Sequence, residues 1–414
     1  MVSDNRILVI GGTGVSGVHL VNGLLERGKN VTIFHSGTHK PSKDFAPWYY
    51  EGRVKIVYGN AFKKKGIEDA LGDLGYFDVV CSMYGNLRSI SKFFSTGNRL
   101  GRFISIGGAP LYDMFGTANH EESVGGWSVT NLITESYRIQ TDDGTLNGEP
   151  NSYNPKLNQM VLAEREVFRD HPTATHLRYP LMYGPYQLIP DEYMVVKRCL
   201  DKRPYILISQ FLSRAPRSVC YGANGAEFVL KAIDNPEASK GEIFLVCDDD
   251  HPTNGQWIKI IANSLGHDLE VIEVPDELAA ASRPLAKEDI TKLNAYMMSN
   301  AKAQRLLGYT DPVPAIDAIA ETARWLAKHP PNHELMKTML QDPFEYETED
   351  MIVEAYRKGD LKSAREIKWK TQPGYGYFYY GNNLNPADSR TQDEKHSGEY
   401  DPTKVRRIKQ SSKL

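Results

Sequence analysis

The apolar positions of this chain fall into two alternating rhythms. Short apolar or β-branched runs recur at Ile7 to Ile10, Asn30 to Phe34, Val54 to Tyr58, Phe77 to Cys81, Arg102 to Ile106, Thr175 to Leu177 and Gly241 to Cys247, each of strand length. Helical spacing marks Val18, Leu20, Val21, Leu24 and Leu25, and again a helix from Pro155 to Arg169 whose buried side holds Leu157, Met160, Val161, Val167 and Phe168. Trp257 to Leu265, Ala301 to Leu307 and Ala315 to Ala327 continue that spacing, the last stopped by Pro330-Pro331. Strands alternating with helices make right-handed crossovers, so the pattern predicts an α/β chain built on a doubly wound parallel sheet. The stretch from Asp113 to Pro150 is polar and weakly periodic and reads as a long loop, with a turn at Asp142-Asp143-Gly144. Beyond Pro331, Met351 to Trp369 has one apolar face (Ile352, Ala355, Tyr356, Leu361, Ala364, Ile367) and reads as a helix or helical pair packed on the body or on a partner subunit. The aromatic run Gly374 to Gly381 that follows reads as a packing arm or pocket lid.

Composition narrows the partners. A chain of 414 residues, 41% of them hydrophobic, can bury a large core, and its net charge of -3 argues against a nucleic-acid scaffold or a polybasic membrane binder. The four cysteines, Cys81, Cys199, Cys220 and Cys247, form no CxxC pair, and Cys81 and Cys247 sit in strand-like runs as reduced core residues would. No apolar run approaches a membrane span, and the first strand begins too early for a signal peptide. No His, Cys and Asp cluster has metal-ligand spacing. The last three residues, Ser412-Lys413-Leu414, match the Ser-Lys-Leu import signal, so a peroxisomal location with the import receptor as a partner is expected, with a cytoplasmic location as the alternative.

The first candidate chemistry lies where the opening run breaks into glycines. Gly11, Gly12, Thr13, Gly14, Val15 and Gly17 join a strand to a helix, and the start of a helix presents backbone N–H groups without partners and a positive end. Gly11 permits the turn, Gly14 lets a pyrophosphate approach, and Gly17 lets helix and strand pack closely. A dinucleotide site is expected here. At the end of the second run, where an acid would take a ribose 2′-OH, no Asp or Glu occurs between Thr32 and Lys40. His35, Ser36, His39 and Lys40 stand there instead, which suits the 2′-phosphate of NADP, with NAD as the alternative.

With the Gly11/Gly14/Gly17 turn, three further segments carry a family likeness: Asp78-Val79-Val80, Tyr183-Gly184-Pro185, and Asp248 to Thr253 ahead of the Trp257 helix. Over about four-fifths of its length the chain resembles an extended short-chain dehydrogenase/reductase of the NAD-dependent epimerase/dehydratase type. The resemblance implies a Rossmann core at 1–180, with 216–265 returning to it, and a smaller α/β substrate lobe at 181–215 and 266–331. A mainly helical C-terminal extension at 332–390 and a flexible tail at 391–414 would follow. It also implies a homodimer, a small-molecule substrate, and a cofactor wall that includes Asn60, Ala61, Met83, Tyr84 and Pro180.

The usual acid–base set of that family is missing. A Tyr and a Lys four residues apart share one helix face, the Lys lowering the Tyr pKa and holding the ribose. Here Tyr153 is followed at that spacing by Leu157, and Lys156 by Met160. Gly108 occupies the place of the family's Ser or Thr, Tyr84 that of a small residue, and Leu181 that of an Asn. The remaining catalytic candidates are Tyr153, Lys156 and Tyr183, with Tyr112 and Tyr84 behind them. His120-Glu121-Glu122 could reach the pocket mouth, though a solvated loop is the plainer reading. The expected function is an NADP-dependent oxidoreductase with a non-standard acid–base set, acting on a small organic carbonyl or activated alkene. The alternatives are a non-redox lyase, isomerase or cyclase on the same fold, and a non-catalytic NAD(P)-binding protein.

Overall fold

Strand β1 (Arg6–Ile10) is apolar on both faces: Ile7 and Val9 enter one buried cluster, Leu8 and Ile10 another. Such a strand needs cover on both sides. In the computed structural model, which describes residues 6–37, 40–109, 131–135, 145–146, 149–150, 155–187, 190–286, 296–331 and 340–374, helices provide it. The first half runs α1 (Gly17–Glu26), β2 (Asn30–His35), α2 (Pro47–Tyr50), β3 (Lys55–Tyr58), α3 (Lys64–Leu71), β4 (Phe77–Ser82), α4 (Leu87–Phe94) and β5 (Leu100–Gly108). Three short strands, β6 (Asn131–Ile133), β7 (Thr145–Leu146) and β8 (Glu149–Pro150), precede α5 (Pro155–Asp170) and β9 (Thr175–Tyr179). One parallel sheet results, in the order β13-β9-β5-β4-β1-β2-β3, where β13 (Ile243–Leu245) is the last strand to join. Strand order reverses between β1 and β4, and a crevice at their carboxyl ends is where such sheets take ligands.

The second lobe begins after β9 with β10 (Met182–Tyr183), α6 (Tyr193–Leu200), β11 (Tyr205–Ser209), α7 (Gln210–Arg214) and β12 (Cys220–Tyr221). Helix α8 (Gly222–Asp234) then returns to cover the sheet beside α1, and α9 (Pro236–Ser239) leads into β13. There follow α10 (Asn254–Ser264), β14 (Glu270–Val274), a 3-10 stretch Asp276–Ser282, α11 (Arg283–Ala286), β15 (Tyr296–Met298), α12 (Ala301–Leu307) and α13 (Ala315–Lys328). A capping box of Thr253 and Gln256 starts α10.

The chain crosses between lobes more often than its order suggests. Of the stretch 216–265, α8 and β13 do return to the sheet, but α10 buries Trp257, Ile258 and Ile261 in the second core with α6 and α13. Conversely α12 and Tyr309, expected in the substrate lobe, pack Ala303, Leu307 and the Tyr309 ring against the first core. An amphipathic stripe finds the nearest apolar surface, and spacing alone does not say which surface that is. The polar stretch 113–150 is not all loop either, since β6 pairs in parallel with β15. β13 is shorter than the run from Gly241 to Cys247, as the Asp248 N–H leaves the ladder for Val219 O.

Residues 340–374 belong to the second lobe. The helices Tyr346–Arg357 and Leu361–Glu366, broken at the left-handed Gly359, set Ile352, Val353 and Ala364 against Leu207, Ile272 and Val274 of the β11/β14 pair. The extension therefore packs on the body. A wholly buried Arg198 on α6 fastens it, pairing with Asp342 at 2.7 Å and with Glu349. All four cysteines are buried and free. Among the described residues no helix is long and apolar enough to cross a membrane, and no group of three or more His, Cys, Asp or Glu is placed to hold a metal. The run 375–381 and the terminal residues 412–414 lie outside the described residues.

Candidate active site

The β1–α1 turn is built by contacts that only glycine permits. A Cβ on Gly17 would fall 2.7 Å from Gly11 O and from Gly12 C, and one on Gly11, at φ +91°, 2.6 Å from Tyr84 Cβ. Gly14 is different: nothing lies within 4 Å of the space its Cβ would fill, and it is exposed. Gly12 and Thr13 are buried beneath it, and Val15 is half-buried. So Gly17 serves packing, while Gly14 leaves an open surface over a helix start. A group the size and charge of a pyrophosphate suits that cradle.

Neighbouring loops close around the turn. The Gly11 N–H bonds Phe34 O of β2, and the Met83 N–H bonds Ile10 O. Gly85, at φ +117°, lies against Ala61, whose carbonyl accepts the Asn86 N–H at 2.9 Å. Asn60 is half-buried and caps its own loop through Phe62 N–H at 2.9 Å, while Ala61 is buried in the core. Tyr84 is 64% exposed, its ring edge-on to Phe62 at 4.9 Å. The structure thus brings Gly11 to Val15, Asn60, Ala61, Met83 and Tyr84 to the carboxyl ends of β1, β3 and β4. Pro180, half-buried, follows β9.

At the end of β2 the candidates separate. Ser36 and Lys40 are exposed. His35 is buried among Tyr49 at 5.7 Å and Tyr58 at 5.1 Å, and its Nδ1 accepts the Gly37 N–H. It is an aromatic packing residue, which corrects its reading as a donor to a phosphate. His39 lies outside the described residues.

The catalytic candidates also part company. Tyr183 has no exposed surface and donates its hydroxyl to Asp248 at 2.9 Å. Burial and the Asp248 charge raise its pKa well above that of an ordinary phenol. Tyr183 therefore ties the lobes together and is not presented to a substrate, a correction to its expected catalytic place. Lys156 lies in the first turn of α5, its side chain outside the described residues, as are Tyr153, Tyr112 and His120 to Glu122. Gly108 closes β5, and a Cβ on its neighbour Gly107 would strike His176 at 2.6 Å.

Two buried networks hold this frame. Asp248 accepts from Tyr183, from Tyr221 N–H and from Asn224, each at 2.9 Å, yet burial outweighs these bonds and lifts its pKa to about 6. On the other face of the sheet, α5 is pinned through Glu164, which takes both Arg178 Nε (2.9 Å) and Arg178 Nη2 (2.6 Å). His176 bonds Ser105 at 2.8 Å through Nδ1 and puts Nε2 3.2 Å from the same carboxylate. Burial raises the Glu164 pKa, but His176 and Arg178 overcome that and bring it to about 2. Ser105, His176 and Glu164 are all buried, so this row braces α5 and offers no nucleophile. Sequence reasoning missed it. A signal was present, because His176 and Arg178, two apart in a buried strand, share a face and must be paired there.

No protein-family model and no curated protein sequence matches the chain. Solved structures match its fold. The UDP-glucose 4-epimerase of Thermotoga maritima, determined with UDP-glucose, aligns with a TM-score of 0.58 at 16% identity, covering 78% of this chain and 99% of its own. The UDP-glucuronic acid 4-epimerase of Bacillus cereus, in complex with NAD, gives 0.55 at 15%, with 78% and 99% covered. The dTDP-glucose 4,6-dehydratase of Bacillus anthracis, also with NAD, gives 0.54 at 15%, with 78% and 97% covered. The chain has the extended short-chain dehydrogenase/reductase fold of these epimerases and dehydratases.

Proposed function

We propose that the chain binds a nicotinamide dinucleotide across the β1/β4 crevice and acts as an oxidoreductase with a rearranged acid–base set. Its substrate is a small organic carbonyl or activated alkene, and NADP is preferred over NAD. One observation carries this reading: Gly14 is open while Gly17 is locked against Gly11 and Gly12. The NAD held by two structures of the same fold supports it. When bound, the dinucleotide supplies a hydride donor or acceptor.

The chain's own residues do the rest. Backbone N–H groups from Gly12 to Val15 hold the pyrophosphate, and Ser36 and Lys40 hold the ribose 2′ end. Asn60, Ala61, Met83, Tyr84 and Pro180 wall the site. Lys156 brings a positive charge to the oxygen of a carbonyl, and Tyr153 holds or moves a proton there.

Calorimetry on the full chain with NADPH and NADH tests the reading. NADPH is expected to bind about tenfold more tightly, the worth of one charge-assisted hydrogen bond. Binding of neither nucleotide overturns the proposal. Leu157 and Met160 at the spacing of the missing pair favour a second reading, a non-redox lyase, isomerase or cyclase. Substrate conversion with no change in the nicotinamide absorbance band would favour it over the first, and binding without any turnover would point to a non-catalytic role.

A further inference from the structure

Residues 40–46, between β2 and α2, are held from three directions. The Asn22 side-chain amide of α1 donates to Phe45 O at 3.0 Å, the Tyr50 hydroxyl to Pro41 O at 2.6 Å, and the Ser42 N–H to the Tyr186 hydroxyl at 3.1 Å. The first two ties come from the nucleotide half itself. The third comes from the connection between β10 and α6, which leads into the second lobe.

Tyr186 is held in place from both lobes. At φ +69° it occupies the left-handed region, which a residue with a Cβ leaves unless its surroundings hold it. Its ring meets Phe45 edge-on at 5.5 Å and Trp325 of α13 at 5.3 Å. Burial and the charge of Glu321, one turn earlier on α13, raise the Tyr221 pKa, and the Tyr221 ring packs 6.1 Å from His19 of α1. Through Trp325 and Tyr186, α13 thus reaches the loop after β2.

We infer that Tyr186 is a positioning residue for cofactor choice: held by Trp325, it fixes from the substrate lobe the loop that begins at Lys40. The inference rests on the proposed role of Ser36 and Lys40 at the ribose 2′ end. A loop ordered before the ligand arrives pays no ordering entropy on binding, and the gain falls on the ligand that the loop touches. That ligand is the 2′-phosphorylated dinucleotide.

Tyr186→Phe removes the hydroxyl that accepts the Ser42 N–H and keeps the ring. In calorimetry on the full chain, NADPH should bind about two- to tenfold more weakly, the range of one lost hydrogen bond, while NADH stays within about twofold. Trp325→Phe, which thins the support behind Tyr186, should move the same ratio in the same direction. A purely structural role would weaken both nucleotides together, and that result, or an unchanged NADPH affinity in both variants, overturns the inference alone. Should the wild-type chain bind neither nucleotide, the cofactor reading falls and takes this inference with it.

Discussion

At the scale of single residues, two glycines three positions apart do opposite work. Gly17→Ala would drive a methyl into backbone atoms at 2.7 and 2.8 Å that cannot yield, whereas Gly14→Ala meets nothing. Gly17→Ala is therefore expected to lower the Tm by several degrees, on the order of 1–3 kcal/mol of overpacking. Gly14→Ala should melt with wild type and lose about tenfold or more in dinucleotide affinity, because its methyl occupies the phosphate's approach. Parallel melts and titrations separate the two. Asp248 allows a second prediction. Its carboxyl titrates near 6 in the folded chain against 3.8 when unperturbed, so the folded state holds the proton more tightly. Stability then rises as pH falls from about 6 toward 4, and the ionised group costs roughly 3 kcal/mol above that window. Asp248→Asn should remove this dependence, its Tm advantage over wild type shrinking as the melting buffer is taken from neutral pH to about pH 5. Gly17 was legible because strand, turn and helix are neighbours in sequence. The Asp248 hub was not, because its partners come from positions 183, 221 and 224.

At the scale of elements, the C-terminal helices were visible as an amphipathic stripe, but their seat was not. They cover β11 and β14, a two-stranded parallel pair whose members lie more than sixty residues apart and whose register no local pattern announces. Nor does spacing foretell that an arginine on α6 would be sealed between Asp342 and Glu349, with the Phe344 ring 5.4 Å away. Arg198→Met leaves two buried carboxylates without a counter-charge and should cost about 3–5 kcal/mol in urea unfolding. Replacing Asp342 and Glu349 by Leu in the same chain should restore most of that loss, since a well-packed apolar trio avoids burying charge at all.

At the scale of the whole molecule, the doubly wound sheet followed from alternation of strands and helices, and its order around β1 is what places the crevice. The lobe boundaries did not follow, because α10 and α12 exchange places between the two cores. The extension is structural rather than appended: a chain ending at Pro331 would expose the apolar side of β11, β14 and the stretch Asp276–Ser282. Such a truncation is expected to aggregate at concentrations where the full chain gives a single species, which light scattering would show.

The sealed arginine also sets a schedule for the ribosome. Arg198 leaves the tunnel 144 residues before Asp342 and 151 before Glu349. At roughly 5–20 residues per second that is an interval of about 7 to 30 seconds. Throughout it, the interior place of this cation lacks the two carboxylates that neutralise it in the folded chain, so α6 is expected to reach its final seat only once Glu349 has been made.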